Sequence, residues 1–223
     1  MHHRIEFKQR FWKNLNRRGR KAKTITKDKI PTKEQLAEIL SNGRIQEKAF
    51  FMVLATSGMR IGEATQLKLE DIDFSNRPTK INVRAEYTKT NEERFTFITE
   101  ESSRYVKEWL KQRELYLQYA LKTAEKLNKP KSEEDGRVFP FEAQTARKWW
   151  KRLLKKVDLD ERDKQTGFLV YRPHTLRKFF RSNFVKAATE RPTDYAEALL
   201  GHRGYVTHPR HKCRGFPSRE ENI

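Results

Sequence analysis

The chain has 223 residues, with 49 Lys and Arg against 30 Asp and Glu, a formal net charge of +19 and a single cysteine, Cys213. Such a length supports one large or two small domains with a real hydrophobic core; one cysteine excludes an intramolecular disulfide and favours a reducing compartment; and neither a transmembrane-length apolar run nor a secretory h-region is present. An aromatic content of 11% excludes a wholly disordered chain, and the charge points to a polyanionic partner, nucleic acid first.

Residues 1 to about 29 are dominated by cations, among them Arg17, Arg18, Arg20, Lys21 and Lys23, opposed only by Glu6 and Asp28. Phe7, Phe11, Trp12 and Leu15 form a short helical stripe. A short helix followed by a basic linker is expected. Its cations either lie along phosphates or form a solvated tail.

At Ile30-Pro31-Thr32 the character changes, and residues 30–208 read as one compact domain. Thr32 is a candidate N-cap with Gln35 in the capping-box position, and Leu36, Ile39 and Leu40 mark the apolar face that follows. A helix from Gln46 to Ser57 is apolar on most sides and should be central to the core. Gly58 ends it, and a short helix opens at Arg60, carrying Ala64, Leu67 and Leu69. Lys80–Glu86 and Arg94–Thr99 alternate as strands, the latter through Phe95 and Phe97, with a polar turn that places Lys89 near the tip of a hairpin. Helices are expected over 100–127, 141–157 and 174–188, with a last short helix from Thr193 to Leu200. Of Trp149 and Trp150, one ring should be buried and one should lie at the surface.

Several polar residues stand beside apolar helices or at turns: Arg60 with Glu63, Lys89, His174 with Arg177, and His202 after Leu199-Leu200-Gly201. Singly each has a plain structural reading. Arg60 and Glu63 suit an i,i+3 salt bridge, His174 a structural histidine, Lys89 a solvated turn charge and His202 a helix C-terminal cap.

Their order is more specific. Thr56-Ser57-Gly58-Met59-Arg60-Ile61-Gly62-Glu63, the hairpin Lys89, His174-Thr175-Leu176-Arg177 and Leu199-Leu200-Gly201-His202 together resemble the tyrosine recombinase, or phage-type integrase, family across residues 31–208. The Gly-His-Arg-Gly-Tyr-Val-Thr segment looks most like integrases of archaeal viruses and plasmids. The resemblance implies an α+β fold that is mostly helical, with a small antiparallel sheet. It implies site-specific DNA recombination by phosphoryl transfer through a 3′-phosphotyrosyl intermediate. Arg60 and Arg177 would clamp the scissile phosphate, Lys89 would act as general acid, His174 would assist proton transfer, His202 would donate to a phosphate oxygen and Glu63 would support an arginine. The implied partner is double-stranded DNA, bound by a tetramer, with a monomer possible in solution. Residues 1–29 would then end a mostly missing DNA-clamping domain. No metal, cofactor or membrane is implied, and the setting is the cytoplasm, with the nucleoid.

These residue types suit the chemistry. Phosphodiester cleavage develops charge on non-bridging oxygens, and a planar, permanently protonated guanidinium can donate to them twice. No glycine-rich phosphate loop or metal-nuclease carboxylate cluster is evident.

The departure from the family lies at the nucleophile. A tyrosine is expected eight to nine residues past His202, where the chain reads Pro209-Arg210-His211. Residues 209–223 hold two prolines, one glycine and no tyrosine, which suits an atypical polar tail rather than a nucleophile-bearing helix. A native tail replaced near residue 208 would account for this. Tyr205, only three residues past His202, is the weak fallback; a tyrosine donated in trans and His211 are further options. The alternative reading is a non-catalytic DNA-binding accessory protein derived from a recombinase. A type IB topoisomerase-like enzyme is a weaker one. His202, His208, His211 and Cys213 crowd together but lack the paired spacing of a zinc site.

Overall fold

The computed structural model describes residues 27–126, 135–187 and 191–202. The linker cations Arg17, Arg18, Arg20, Lys21 and Lys23, the fallback Tyr205 and the tail 209–223 lie outside the described residues.

Helix α1 (Lys33–Ser41) begins at the expected capping box. The Thr32 hydroxyl accepts the Gln35 N–H at 3.2 Å, and Gln35 Oε1 accepts the Thr32 N–H at 3.0 Å. Helix α2 (Ile45–Ser57) buries Ala49, Phe50, Phe51, Val53, Leu54 and Ala55 and packs against four other helices and the sheet. Phe50 meets Phe51, Phe139 and Phe141 edge-on, with centroids 5.4, 5.1 and 5.2 Å apart. Helix α3 (Ile61–Ala64) follows the turn at Gly58, and a 3₁₀ turn spans Leu69–Asp71.

Strands β1 (Ile72–Asp73), β2 (Thr79–Val83) and β3 (Arg94–Ile98) form one antiparallel sheet in that order. Ile81 lies opposite Ile72 on one side and Thr96 on the other. Helices α4 (Glu100–Lys126), α5 (Ala143–Lys156), α6 (Pro173–Ala187) and α7 (Pro192–Leu200) complete the described residues. The fold is thus mostly helical with a small antiparallel sheet. Trp109 and Trp150 are buried to 1% and 0% exposure, and each indole N–H is satisfied by a carbonyl, that of Val138 at 2.8 Å and that of Tyr171 at 2.9 Å. Trp149 is half-buried against Phe141.

Three expectations are corrected. The short helix after Arg60 stops at Ala64; Leu67 is buried beyond it, but Leu69 sits in the 3₁₀ turn, 43% exposed. Strand β2 ends at Val83, and the next residues form a second 3₁₀ turn (Ala85–Tyr87) instead of extending the hairpin. On β3 the buried face is Arg94, Thr96 and Ile98, not Phe95 and Phe97. The phenylalanines are half-buried on the opposite face, against a small cluster of Phe180, Leu199 and Leu200. Both faces of β3 are covered, so hydrophobic alternation alone cannot say which one meets the main core.

Residues 27–29, read from the sequence as part of the linker, pair with this domain. Lys29 N–H donates to the Val170 carbonyl at 3.0 Å, and the Asp28 carboxylate accepts from Arg172 and Lys178. No helix among the described residues is long and apolar enough to cross a membrane.

Candidate functional site

The site forms where the turn after α2, the start of α6 and the end of α7 converge on β3. Gly58 ends α2 at φ 67°, a left-handed conformation suited to glycine. A Cβ there would lie 2.5 Å from Phe180 and 2.6 Å from Leu200, so the turn seats directly on α6 and α7.

Two residues on, Arg60 caps α3. Glu63 Oε2 accepts the Arg60 N–H at 2.8 Å, and Glu63 Oε1 accepts Arg60 Nη1 at 2.7 Å. The same carboxylate pairs with Arg94, whose Nη2 lies 2.6 Å from Oε2, with the two side chains 3% and 2% exposed. Arg94 Nε then donates to the Leu199 carbonyl at 3.0 Å. Burial opposes the Glu63 charge, but the hydrogen bond and charge of Arg94, then Arg60, outweigh it and hold the carboxyl below its ordinary range.

Arg177 projects from α6 into this cluster. Its two terminal nitrogens donate to the carbonyls of Gly58 and Leu200, tying the α2 turn to the end of α7. Burial, and then the neighbouring Arg60 charge, push its guanidinium down to about 9, so it remains a cation at neutral pH. Among the described residues no carboxylate forms an ion pair with it. Arg60, Arg94 and Arg177 therefore gather about one buried carboxylate, Glu63, and the cluster carries a surplus of positive charge.

His202 stands at the rim. Gly201, at φ 69°, turns the chain out of α7 against the Arg94 side chain, and His202 Nδ1 meets the Glu197 carboxylate. His174 is exposed on the first turn of α6; partial burial, then the charges of Arg177 and Lys178, disfavour its protonated form. The His174 ring is consequently held toward its neutral form.

Lys89 stands exposed in the β2–β3 connection. The base of that connection is pinned: Asp71 accepts Arg84 Nε at 2.6 Å and the Tyr87 hydroxyl at 3.2 Å. The Thr88 hydroxyl accepts the Glu92 N–H at 3.1 Å. Among the described residues Lys89 forms no ion pair, and no contact joins it to the arginine cluster.

The structure thus brings Arg60, Glu63 and Arg177 into one cluster, with His202 at its edge, and leaves Lys89 apart. Sequence reasoning missed two members, Arg94 and Glu197. The only trace of Arg94 was its period-2 phase with Ile98; Glu197 carried no local signal. It also missed the outer face of α5, where Lys148, Lys151 and Lys155 are all exposed and the helix contains no acidic residue.

A buried arginine cluster at the junction of an α2 turn, a sheet edge and two helices, on a mostly helical frame, is the architecture of a tyrosine recombinase catalytic domain. Residues 23–208 match the model of the phage integrase family, and the chain belongs to that family. Tyrosine recombinase XerA of Saccharolobus solfataricus is 27% identical over 164 residues, 74% of this chain and 44% of the relative. The crystal structure of XerA recombinase superposes with a TM-score of 0.56 at 22% identity, covering 79% of this chain and 57% of that one. The Tn1549 transposon integrase in complex with circular intermediate DNA gives 0.54 at 20% identity, covering 81% of this chain and 61% of that one. The chain therefore spans less than half of the curated XerA relative and under two thirds of both solved chains.

Proposed function

We propose that the chain is the catalytic domain of a site-specific DNA recombinase, or integrase, built to hold the scissile phosphate of duplex DNA between Arg60 and Arg177. The observation that carries this reading is the surplus of guanidinium charge around Glu63: Arg94 and Arg177 are buried, Arg60 is half-buried, and among the described residues Arg177 hydrogen-bonds to carbonyls alone. An anion entering there gains the donors of Arg60 and relieves the repulsion between the two cations.

In this reading a nucleophilic oxygen attacks phosphorus while the arginines stabilise the charge on the non-bridging oxygens. The neutral His174 takes up the nucleophile's proton. Lys89, carried by the β2–β3 connection, protonates the departing 5′ oxygen. His202 donates to a phosphate oxygen. The product is a 3′-phosphotyrosyl link, and its reversal on a second strand rejoins the DNA. The exposed lysines of α5, with Arg17, Arg18, Arg20, Lys21 and Lys23 of the linker, contact the DNA backbone and position the duplex. Assembly into a tetramer on DNA and action in the cytoplasm belong to the same reading. So does the division into linker 1–29, catalytic domain 30–208 and tail 209–223.

After Tyr205 the sequence contains no tyrosine. The reading is accordingly that this chain binds duplex DNA and cleaves it poorly or not at all. Nicked suicide duplexes that trap a covalent adduct test both parts on one denaturing gel, with binding measured in the same tubes. Binding without an adduct is expected. An adduct would overturn the cleavage deficiency, and its loss in Tyr205→Phe would name the nucleophile. Failure to bind duplex DNA would overturn the recombinase-domain reading itself.

A further inference from the structure

We propose that Glu197 is a positioning residue for His202: its carboxylate fixes Nδ1 as the protonated ring nitrogen and leaves Nε2 as the nitrogen that works at the anion pocket. The inference rests on the reading above for the identity of the anion, but its geometry is independent of that reading.

Glu197 holds His202 in two places. Its main-chain carbonyl accepts the His202 N–H at 3.1 Å, and its Oε2 meets the ring at Nδ1. Its other oxygen accepts Arg181 Nε at 2.5 Å, so α6 braces the carboxylate from behind. The Glu197 side chain is 12% exposed, against 43% for His202 and 47% for Arg181. An ionised carboxylate can only accept, so Nδ1 must donate. Burial works against that carboxylate, but Arg181 and then His202 outweigh it and keep it ionised. Besides Glu197 itself, the charged groups about the pair are Arg181 of α6, bonded to Glu197, Arg177 of α6, on which the Glu197 charge acts, and Arg94 of β3, behind Gly201.

The arrangement has the logic of a carboxylate orienting a catalytic imidazole. With Nδ1 committed to Glu197, Nε2 donates to a phosphate oxygen when the ring is doubly protonated and accepts a proton when it is neutral. Among the described residues Nε2 has no hydrogen-bond partner. The pairing also locks the ring plane, as a free imidazole on a helix-end residue would not be.

The test is the tautomer of His202, read from long-range ¹H–¹⁵N spectra of the full chain at alkaline pH and assigned by its loss in His202→Gln. An isolated neutral imidazole favours the proton on Nε2. The expected result is the Nδ1–H form in the unmodified chain and reversion to a majority Nε2–H form in Glu197→Ala. A Glu197 that held His202 through its main-chain carbonyl alone would not set the tautomer. A majority Nε2–H form in the unmodified chain overturns the proposal whether or not the variant folds, and so does a tautomer unchanged in a folded Glu197→Ala. Duplex affinity, measured on the same samples, separates the two readings. Nδ1–H without duplex binding upholds the pair and overturns the DNA reading; duplex binding with Nε2–H does the reverse.

Discussion

Arg94 and Glu63 meet through two nitrogens and two oxygens, Nη2 to Oε2 at 2.6 Å and Nη1 to Oε1 at 3.3 Å, in a site almost closed to water. They lie 31 residues apart in sequence, and through them the cap of α3 is joined to the end of α7. Removing one partner of a buried pair leaves an uncompensated charge. Glu63→Ala should therefore cost about 3–5 kcal/mol, read as a lower urea midpoint at constant m-value. A loss under about 1 kcal/mol would mean that water reaches the cluster.

Glycine positions give a test of the packing. Gly58→Ala forces a left-handed alanine and places its Cβ 2.5 Å from Phe180. The two penalties together should be about 2–5 kcal/mol. Gly62 is in α3 with no atom within 4 Å of an added Cβ. Gly62→Ala should be neutral or stabilising by up to about 1 kcal/mol. Thermal melts of both variants check the contrast.

Stability should fall on acidification in two stages. The folded-state pKa of His174 lies below its ordinary 6.5, so the unfolded chain binds the extra proton first. Stability from this group is complete above 6.5 and is lost as pH falls through the folded value. Glu63 and Asp28 are held below their ordinary 4.5 and 3.8, so their contributions are present above those values and vanish as pH falls further. Urea midpoints measured from pH 7.5 down to 3 should decline from the mid-sixes. His174→Gln should remove only the first stage.

Duplex binding should be strongly salt-dependent. Replacing Lys148, Lys151 and Lys155 with glutamine should reduce the slope of log affinity against log salt by roughly three. Arg177→Ala should weaken binding more than loss of any single lysine in the linker, because it removes a cation of the pocket and frees the carbonyls of Gly58 and Leu200. Filter binding at several salt concentrations checks both. A flat salt response would contradict phosphate-dominated recognition.

The sequence by itself determined the helices and the family. The capping box at Thr32 and Gln35, the all-round apolar helix through Phe50 and Phe51, and the turn at Gly58 are local signals, because propensity, capping and periodicity act within a few residues. The order of Arg60, Lys89, His174, Arg177 and His202 was equally legible, being carried by short motifs. What only the tertiary structure decided is which groups meet. Arg177 reaches the Gly58 carbonyl across 119 residues, and Arg94 reaches the Leu199 carbonyl across 105. The period-2 phase of Arg-Phe-Thr-Phe-Ile does not by itself say that the arginine faces inward, since the phenylalanines offered a more apolar face on the same strand. The choice was made by a buried carboxylate on α3 that required a cation, and by α7 closing over the other face. A buried charge selects its partner only once the chain has brought both out of water.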